Sequence, residues 1–163
     1  MDGRKPFLET LTKFAEKDPK VILIIGDVGF SFIEGFKDRF PNQFLNTGAC
    51  EQTMMNIASG LANAGWKPYV YTMRNFIAFR PYEQVRNNIA YSNRNVKLFG
   101  VSGSAAYAFL GYSHNVGKGK KDEDMAMFER LPNMNVYQLS TEEDVEKKMD
   151  EEYNRQGPAY FII

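Results

Sequence analysis

Val21-Ile22-Leu23-Ile24-Ile25-Gly26 is an unbroken run of branched apolar residues closed by a glycine. It has no polar face, so it predicts a strand covered on both sides, as in a parallel sheet. A parallel partner cannot be reached by a hairpin; the chain must cross back over the sheet, usually as a helix. The flanking segments meet that demand. Upstream, Phe7, Leu8, Leu11, Phe14 and Ala15 recur at helical spacing and predict a helix over 6–17, stopped by Asp18-Pro19. Downstream, residues 43–46 read as a short strand, followed by a helix from Glu51 to Ala64 that Gly65 ends.

The alternation continues to the end of the chain. Strands are predicted at 68–72, 96–101, 134–139 and 159–163, and helices at 81–91, 122–130 and 141–154. The expected fold is α/β, a three-layer sandwich around a mostly parallel sheet, with residues 1–163 forming one domain. Ligands of such sheets sit at the carboxyl ends of the strands. The loops there are 26–31, 48–51, 73–79 and 102–120, and they concentrate the irregular and polar sequence.

Composition narrows the function classes. Twenty Lys and Arg balance twenty Asp and Glu, which gives no basis for nucleic acid or an anionic membrane as partner. Apolar runs fall far short of the roughly 20 residues of a membrane span. The N-terminus lacks the apolar core of a secretory signal, and a lone cysteine, Cys50, fits a reducing, cytoplasmic setting. One cysteine and one histidine, His114, cannot build a Cys/His zinc site, so no metal site is expected within the chain. Aromatic residues reach 14%, which predicts both a ring-rich core and an apolar surface covered by a partner.

Several residues are candidates for chemistry. Glu51 opens a helix; it either complements the helix dipole or is a carboxyl in a dry pocket that shares a proton with a bound heterocycle. Met73, Phe76, Phe79 and Tyr82 recur every third residue, as core packing or as a platform for an aromatic ligand. Gly26-x-x-Gly29 is not a dinucleotide fingerprint, and no Walker motif is present. Gly117-Lys118-Gly119-Lys120-Lys121 has the residue types of an anion loop but reads more simply as a solvated one. Ser102, Ser104 and Ser113 share a loop with His114, yet no G-x-S-x-G singles out a nucleophile.

Taken together, Phe44-Leu45-Asn46-Thr47-Gly48-Ala49-Cys50-Glu51-Gln52, Asn56 to Ala62, Lys67-Pro68-Tyr69-Val70, Phe76 and Tyr82 to Asn87 resemble the pyrimidine-binding domain of transketolase-like thiamine diphosphate enzymes. The resemblance continues through Ala90-Tyr91, Asn95-Val96-Lys97, Leu131 to Met134 and Gly157 to Tyr160, nearly the whole chain. It implies that Glu51 hydrogen-bonds the aminopyrimidine nitrogen and favours the tautomer that activates the cofactor. It implies that Phe76 and Phe79 pack on the pyrimidine, with Met73 where an aromatic often stands, and Asp27 near the cofactor. His114 corresponds to a family histidine and would handle substrate protons, with Ser102 also facing substrate.

The departures shape the expectation. Ser102 and Leu110 stand where the family has a histidine and an acidic residue, so a less polar or differently shaped substrate than a simple sugar phosphate is expected. The sequence carries no Gly-Asp-Gly motif with the downstream asparagine that holds Mg2+ and diphosphate, and the third family domain is expected to be absent. The resemblance therefore implies half an active site, completed by a separate diphosphate-binding subunit in an α2β2 assembly. The expected activity is two-carbon or acyl transfer on a small molecule. The alternatives are a subunit of a 2-oxo acid decarboxylase and a non-catalytic regulatory homologue.

Overall fold

The computed structural model describes residues 3–102, 105–117 and 121–163. Six strands form one sheet: β1 (Val21–Ile25), β2 (Phe44–Asn46), β3 (Lys67–Met73), β4 (Lys97–Val101), β5 (Asn135–Gln138) and β6 (Ala159–Ile162). Their order is β2-β1-β3-β4-β6-β5, and every pairing is parallel, beyond the mostly parallel sheet expected. All five residues of β1 are buried, as an apolar run without a polar face requires.

Alternation along the strands divides the core into two layers. Ile22, Ile24, Val70, Leu98, Tyr160 and Ile162 face α3 (Glu51–Asn63), a segment beginning at Tyr82, and a short helix at Glu123–Phe128. Val21, Leu23, Ile25, Tyr69, Tyr71, Phe99 and Phe161 face the opposite way. They pack on α1 (Arg4–Lys17), α2 (Glu34–Arg39) and a C-terminal helix at Glu142–Asn154. Thr141 starts that last helix with a reciprocal capping box to Asp144.

The second layer accounts for much of the aromatic content. Phe7 lies on Phe99 and Tyr71, with ring centroids 4.4 Å and 5.4 Å away, and Phe99 stacks on Phe161 at 4.3 Å. Each such ring contributes about 1.5–3 kcal/mol by burial alone. The ring-rich core expected from the composition is thus present. The exposed rings that follow strand ends are Phe30, Phe79, Phe109 and Tyr112, all beyond the carboxyl ends of β1, β3 and β4.

The helices differ from expectation in detail. Residues 74–78, read as loop, form the short helix α4 (Arg74–Ala78) directly after β3. The helix expected over 81–91 is a single turn, α5 (Tyr82–Gln84), running into a π-helical segment, Val85–Tyr91. Within this wider coil the carbonyl of Asn88 accepts from the Ser59 hydroxyl at 2.7 Å, and Asn88 Nδ2 donates to Asn56 Oδ1. Asn88 thus ties this segment to α3 twice. The helices at Glu123–Phe128 and Glu142–Asn154 follow as α6 and α7. The loop expected after β4 contains two short 3-10 stretches within Ala105–Ser113, separated by a kink at Gly111.

Lys97, at the start of β4, is buried, and a carboxylate meets it there. Its Nζ donates to Glu152 of α7 at 2.9 Å and to the carbonyls of Gly157 and Arg155. Glu152 also accepts from Arg155, Asn135 and Tyr137. Burial alone would raise the Glu152 carboxyl, but its bonds from Arg155, Lys97 and Asn135 bring it down to about 2. This network lies at the amino ends of the strands and holds α7 to the sheet.

Candidate functional site

The chain leaves β1 toward β2 on one side and returns to β3 on the other, so β1 and β3 flank a switch point. Glu51, Phe76 and Arg80 all lie on the segments that border it. Glu51 is the first residue of α3, and Cys50 before it makes no side-chain cap. The carboxylate therefore sits at the positive end of the helix dipole with only 6% of its side chain exposed. Glu51 thus opens the helix, as its dipole reading expects, and its carboxylate is also buried.

Arg80 is its partner. Nη1 donates to Glu51 Oε1 at 2.5 Å, and the guanidinium carbon lies 3.7 Å from the centroid of the Phe76 ring. The cation is stacked on the aromatic face while it pairs with the carboxylate. Phe76, buried in α4, turns its ring toward His114 in an edge contact at 5.1 Å. Sequence reading missed Arg80. The available signal was a cation directly after Phe79 in an otherwise apolar segment.

Asn75, beside Phe76, ties α4 to the histidine loop. Its Nδ2 donates to the carbonyls of Tyr112 and Asn115, at 2.8 Å and 2.9 Å, so both sides of Ser113-His114 are clamped. Its Oδ1 is buried without a hydrogen-bond partner. The Ser113 hydroxyl donates to the Leu110 carbonyl at 2.7 Å and lies 2.8 Å from His114 Nδ1.

Arg74 anchors the other end of α4. It forms a fork with Asp124, Nε to Oδ2 at 2.8 Å and Nη2 to Oδ1 at 2.6 Å, and also reaches Asp122. The Tyr160 hydroxyl donates to the same Asp124 carboxylate at 2.5 Å. Burial and that carboxylate push the Tyr160 phenol well above its ordinary range. Burial works against the Arg74 charge, yet Asp124 outweighs it and holds the guanidinium above its usual value. Gly100 makes room: a Cβ there would stand 2.6 Å from the Tyr160 oxygen.

The other sequence candidates are placed around this centre. Met73, half-buried, ends β3 immediately before α4. Phe79 is 39% exposed on the rim. Asp27 adopts a positive φ of 56° and exchanges hydrogen bonds with Asn46, backbone N–H to Asn46 Oδ1 and Asn46 Nδ2 to Asp27 Oδ1. Ser102 lies at the edge of the Arg74 fork, 3.5 Å from Nη1. The Gly117 N–H, in the segment read as a solvated loop, donates to the Glu123 carboxylate at 3.0 Å. Ser104, Lys118, Gly119 and Lys120 lie outside the described residues.

A buried acceptor carboxylate, an aromatic face and a thioether at one switch point suit a flat heterocycle that donates an N–H. Among the described residues, no three His, Cys, Asp or Glu side chains gather to hold a metal ion. Nor is any helix there long and apolar enough to cross a membrane.

An open, all-parallel sheet with helices on both faces defines the class: an α/β domain. The family is equally clear, since the profile of the transketolase pyrimidine-binding domain matches residues 1–163, and the chain belongs to that family. It is 37% identical over 134 residues to one subunit of the apulose-4-phosphate transketolase of Phocaeicola vulgatus, covering 82% of this chain and 41% of that relative. It is 25% identical over 161 residues to the 6-deoxy-6-sulfo-D-fructose transketolase subunit SqwH of a Clostridium species, covering 98% of this chain and 48% of that one. A solved split-gene transketolase, an inactive beta4 tetramer, superposes with a TM-score of 0.84 at 28% identity, over 98% of this chain and 50% of its own. The chain thus spans half or less of the length of these relatives.

Proposed function

We propose that this chain is the pyrimidine-binding subunit of a two-component, transketolase-like enzyme that makes or breaks carbon–carbon bonds by two-carbon or acyl transfer. The observation that carries the reading is the Glu51 carboxylate, buried at the start of α3 and joined through Arg80 to the Phe76 ring, in a chain matched along its length by the pyrimidine-binding family. Thiamine diphosphate, when bound, supplies the electron sink for bond cleavage.

The chain's own residues bind, orient and handle protons. Glu51 accepts or shares a proton at the ring nitrogen of the aminopyrimidine, and Phe76 with Met73 packs on the ring face. Phe79 and Asp27 line the approach to it. His114 moves substrate protons at its Nε2 atom, with Ser102 on the same wall. Leu110, on that wall, has no group for a substrate hydroxyl, so hydroxyl contacts fall mainly to the partner. The relatives named for a phosphorylated and a sulfonated ketose support a ketose donor.

The partner we assign is a diphosphate-binding subunit with a Gly-Asp-Gly…Asn motif that ligates Mg2+, in an α2β2 assembly in the cytoplasm. The naming of the relatives as subunits supports a separate partner. So do the exposed Phe30, Phe109 and Tyr112 at the carboxyl rim, where the cofactor would be shared.

The test is purification of the chain from its native cells under mild conditions. A stoichiometric partner carrying that motif, and thiamine diphosphate-dependent turnover that Glu51→Ala abolishes, are expected. Turnover indifferent to Glu51→Ala, or a chain that recruits neither partner nor cofactor, would leave a scaffold or regulator. Carbon dioxide release without an aldehyde acceptor would identify the decarboxylase alternative instead.

A further inference from the structure

We infer that Arg80 is a built-in competitor for the ring site: its guanidinium holds the place of the aminopyrimidine and must leave before the ring can enter. The inference rests on the reading of Glu51 and Phe76 as the pyrimidine pocket. A guanidinium is flat, delocalised and edged with N–H donors. Arg80 uses all three properties in the way a heterocycle would, donating to Glu51 Oε1 at 2.5 Å and lying 3.7 Å over the Phe76 ring. One planar group can occupy that position between carboxylate and ring at a time.

The exchange is physically accessible. Glu51 is nearly inaccessible, and a buried carboxylate stripped of its donor is costly. Arg80 is different: 45% of its side chain already meets water, so swinging outward returns its charge to solvent. Its backbone stays anchored, because the Arg80 carbonyl accepts from Gln52 Nε2 at 3.4 Å. An entering aminopyrimidine restores both lost contacts when one proton is taken up from water with it: that proton is shared between Glu51 and the ring nitrogen, and the ring gives Phe76 its flat face. The observed dissociation constant is then the intrinsic one divided by the fraction of molecules with Arg80 swung out. With Arg80 seated about nine-tenths of the time, that factor is about ten.

The experiment titrates the full chain with 4-amino-5-hydroxymethyl-2-methylpyrimidine, read by NMR, in wild type, Arg80→Ala, Arg80→Lys and Glu51→Gln. Arg80→Ala is expected to bind about tenfold tighter than wild type, with Arg80→Lys between them. Added salt screens the half-exposed pair, so wild-type affinity for this uncharged probe should rise with salt while that of Arg80→Ala stays level. Arg80→Lys keeps the comparison intact if the alanine variant folds poorly, which thermal melts will show. Equal, salt-independent affinities in wild type and both Arg80 variants, with binding still lost in Glu51→Gln, overturn the competitor and leave the pocket reading standing. Binding that ignores Glu51→Gln, or no saturable binding in any variant, overturns both.

Discussion

Ser113 fixes which nitrogen of His114 carries the proton. The hydroxyl has one proton, and the Leu110 carbonyl receives it at 2.7 Å, so the oxygen meets Nδ1 of His114, at 2.8 Å, as an acceptor. Neutral His114 is then the Nδ1–H tautomer, and its lone pair resides on Nε2. Ser113→Ala removes the acceptor and should mix the tautomers. His114 is the chain's one histidine, so its ring nitrogen shifts are assigned without ambiguity. Unchanged nitrogen shifts in the alanine variant would show that Ser113 has no such role.

Asn75 should govern where that ring stands. Asn75→Leu deletes both donors to the Tyr112 and Asn115 carbonyls but also removes the orphaned Oδ1. The gain and loss partly offset, giving a net cost of about 1–3 kcal/mol. The distinguishing readout is local: the His114 signals should broaden or shift, while amides of β1 and β3 stay protected from exchange. A uniform loss of protection across the sheet would contradict the clamp.

Glu51→Gln should separate stability from binding. The pair with Arg80 is open to water on the arginine side, so the melting free energy should stay within about 1 kcal/mol of wild type. Cofactor binding by the assembled enzyme should fall sharply in calorimetry. Glu51→Asp keeps the charge but shortens the reach, and an intermediate loss is expected. A glutamine variant that binds as wild type does would remove Glu51 from the site.

Acid should unfold the domain through Glu152. Its folded pKa of about 2 lies below the ordinary 4.5, so its stabilisation is present above about 4.5 and drains away as pH falls toward 2. The contribution is on the order of 3 kcal/mol. Glu152→Gln should flatten that acid limb in urea melts across pH. It should also lower stability at neutral pH by about 3–5 kcal/mol, because Lys97 stays buried without its counter-charge. An unchanged acid limb would assign the sensitivity to other carboxylates.

Tyr160→Phe leaves the ring in place and removes one donor from the Asp124 carboxylate, which Arg74 still satisfies twice. A cost of about 1–2 kcal/mol is expected from denaturant midpoints. Gly100→Ala should cost more, since its Cβ would press on the Tyr160 oxygen, and the two changes together should cost less than their sum. Strict additivity would contradict the contact.

The layers of this fold were legible because periodicity reports burial: β1 had no polar face, and α1 had one apolar stripe. Short elements were not. α4 is five residues, too few to display a helical period, and its place is set by Arg74 reaching Asp124 fifty positions away. The site shows the same division. Glu51, Phe76 and His114 could be singled out by type and by resemblance. Arg80 and Asn75 could not, because their roles depend on partners brought near only by folding: Glu51 of α3 for Arg80, and the Tyr112 and Asn115 carbonyls beyond β4 for Asn75. Asp27 and Ser102 were placed by resemblance, and each is already engaged with a neighbour, Asn46 and Arg74.

Strand order also has a consequence for synthesis. β5 touches the sheet only through β6, which lies between it and β4 although it is made later. While the ribosome is still adding residues 159–162, β5 has no seat, and the side chains of Tyr160 and Phe161 are missing from both layers of the core. Asp124 and Lys97 likewise wait, the first for the Tyr160 hydroxyl and the second for the Gly157 carbonyl, to complete their hydrogen bonds. β1 to β4 are all made before β6, yet the interior cannot close until β6 pairs with β4 and offers its other edge to β5.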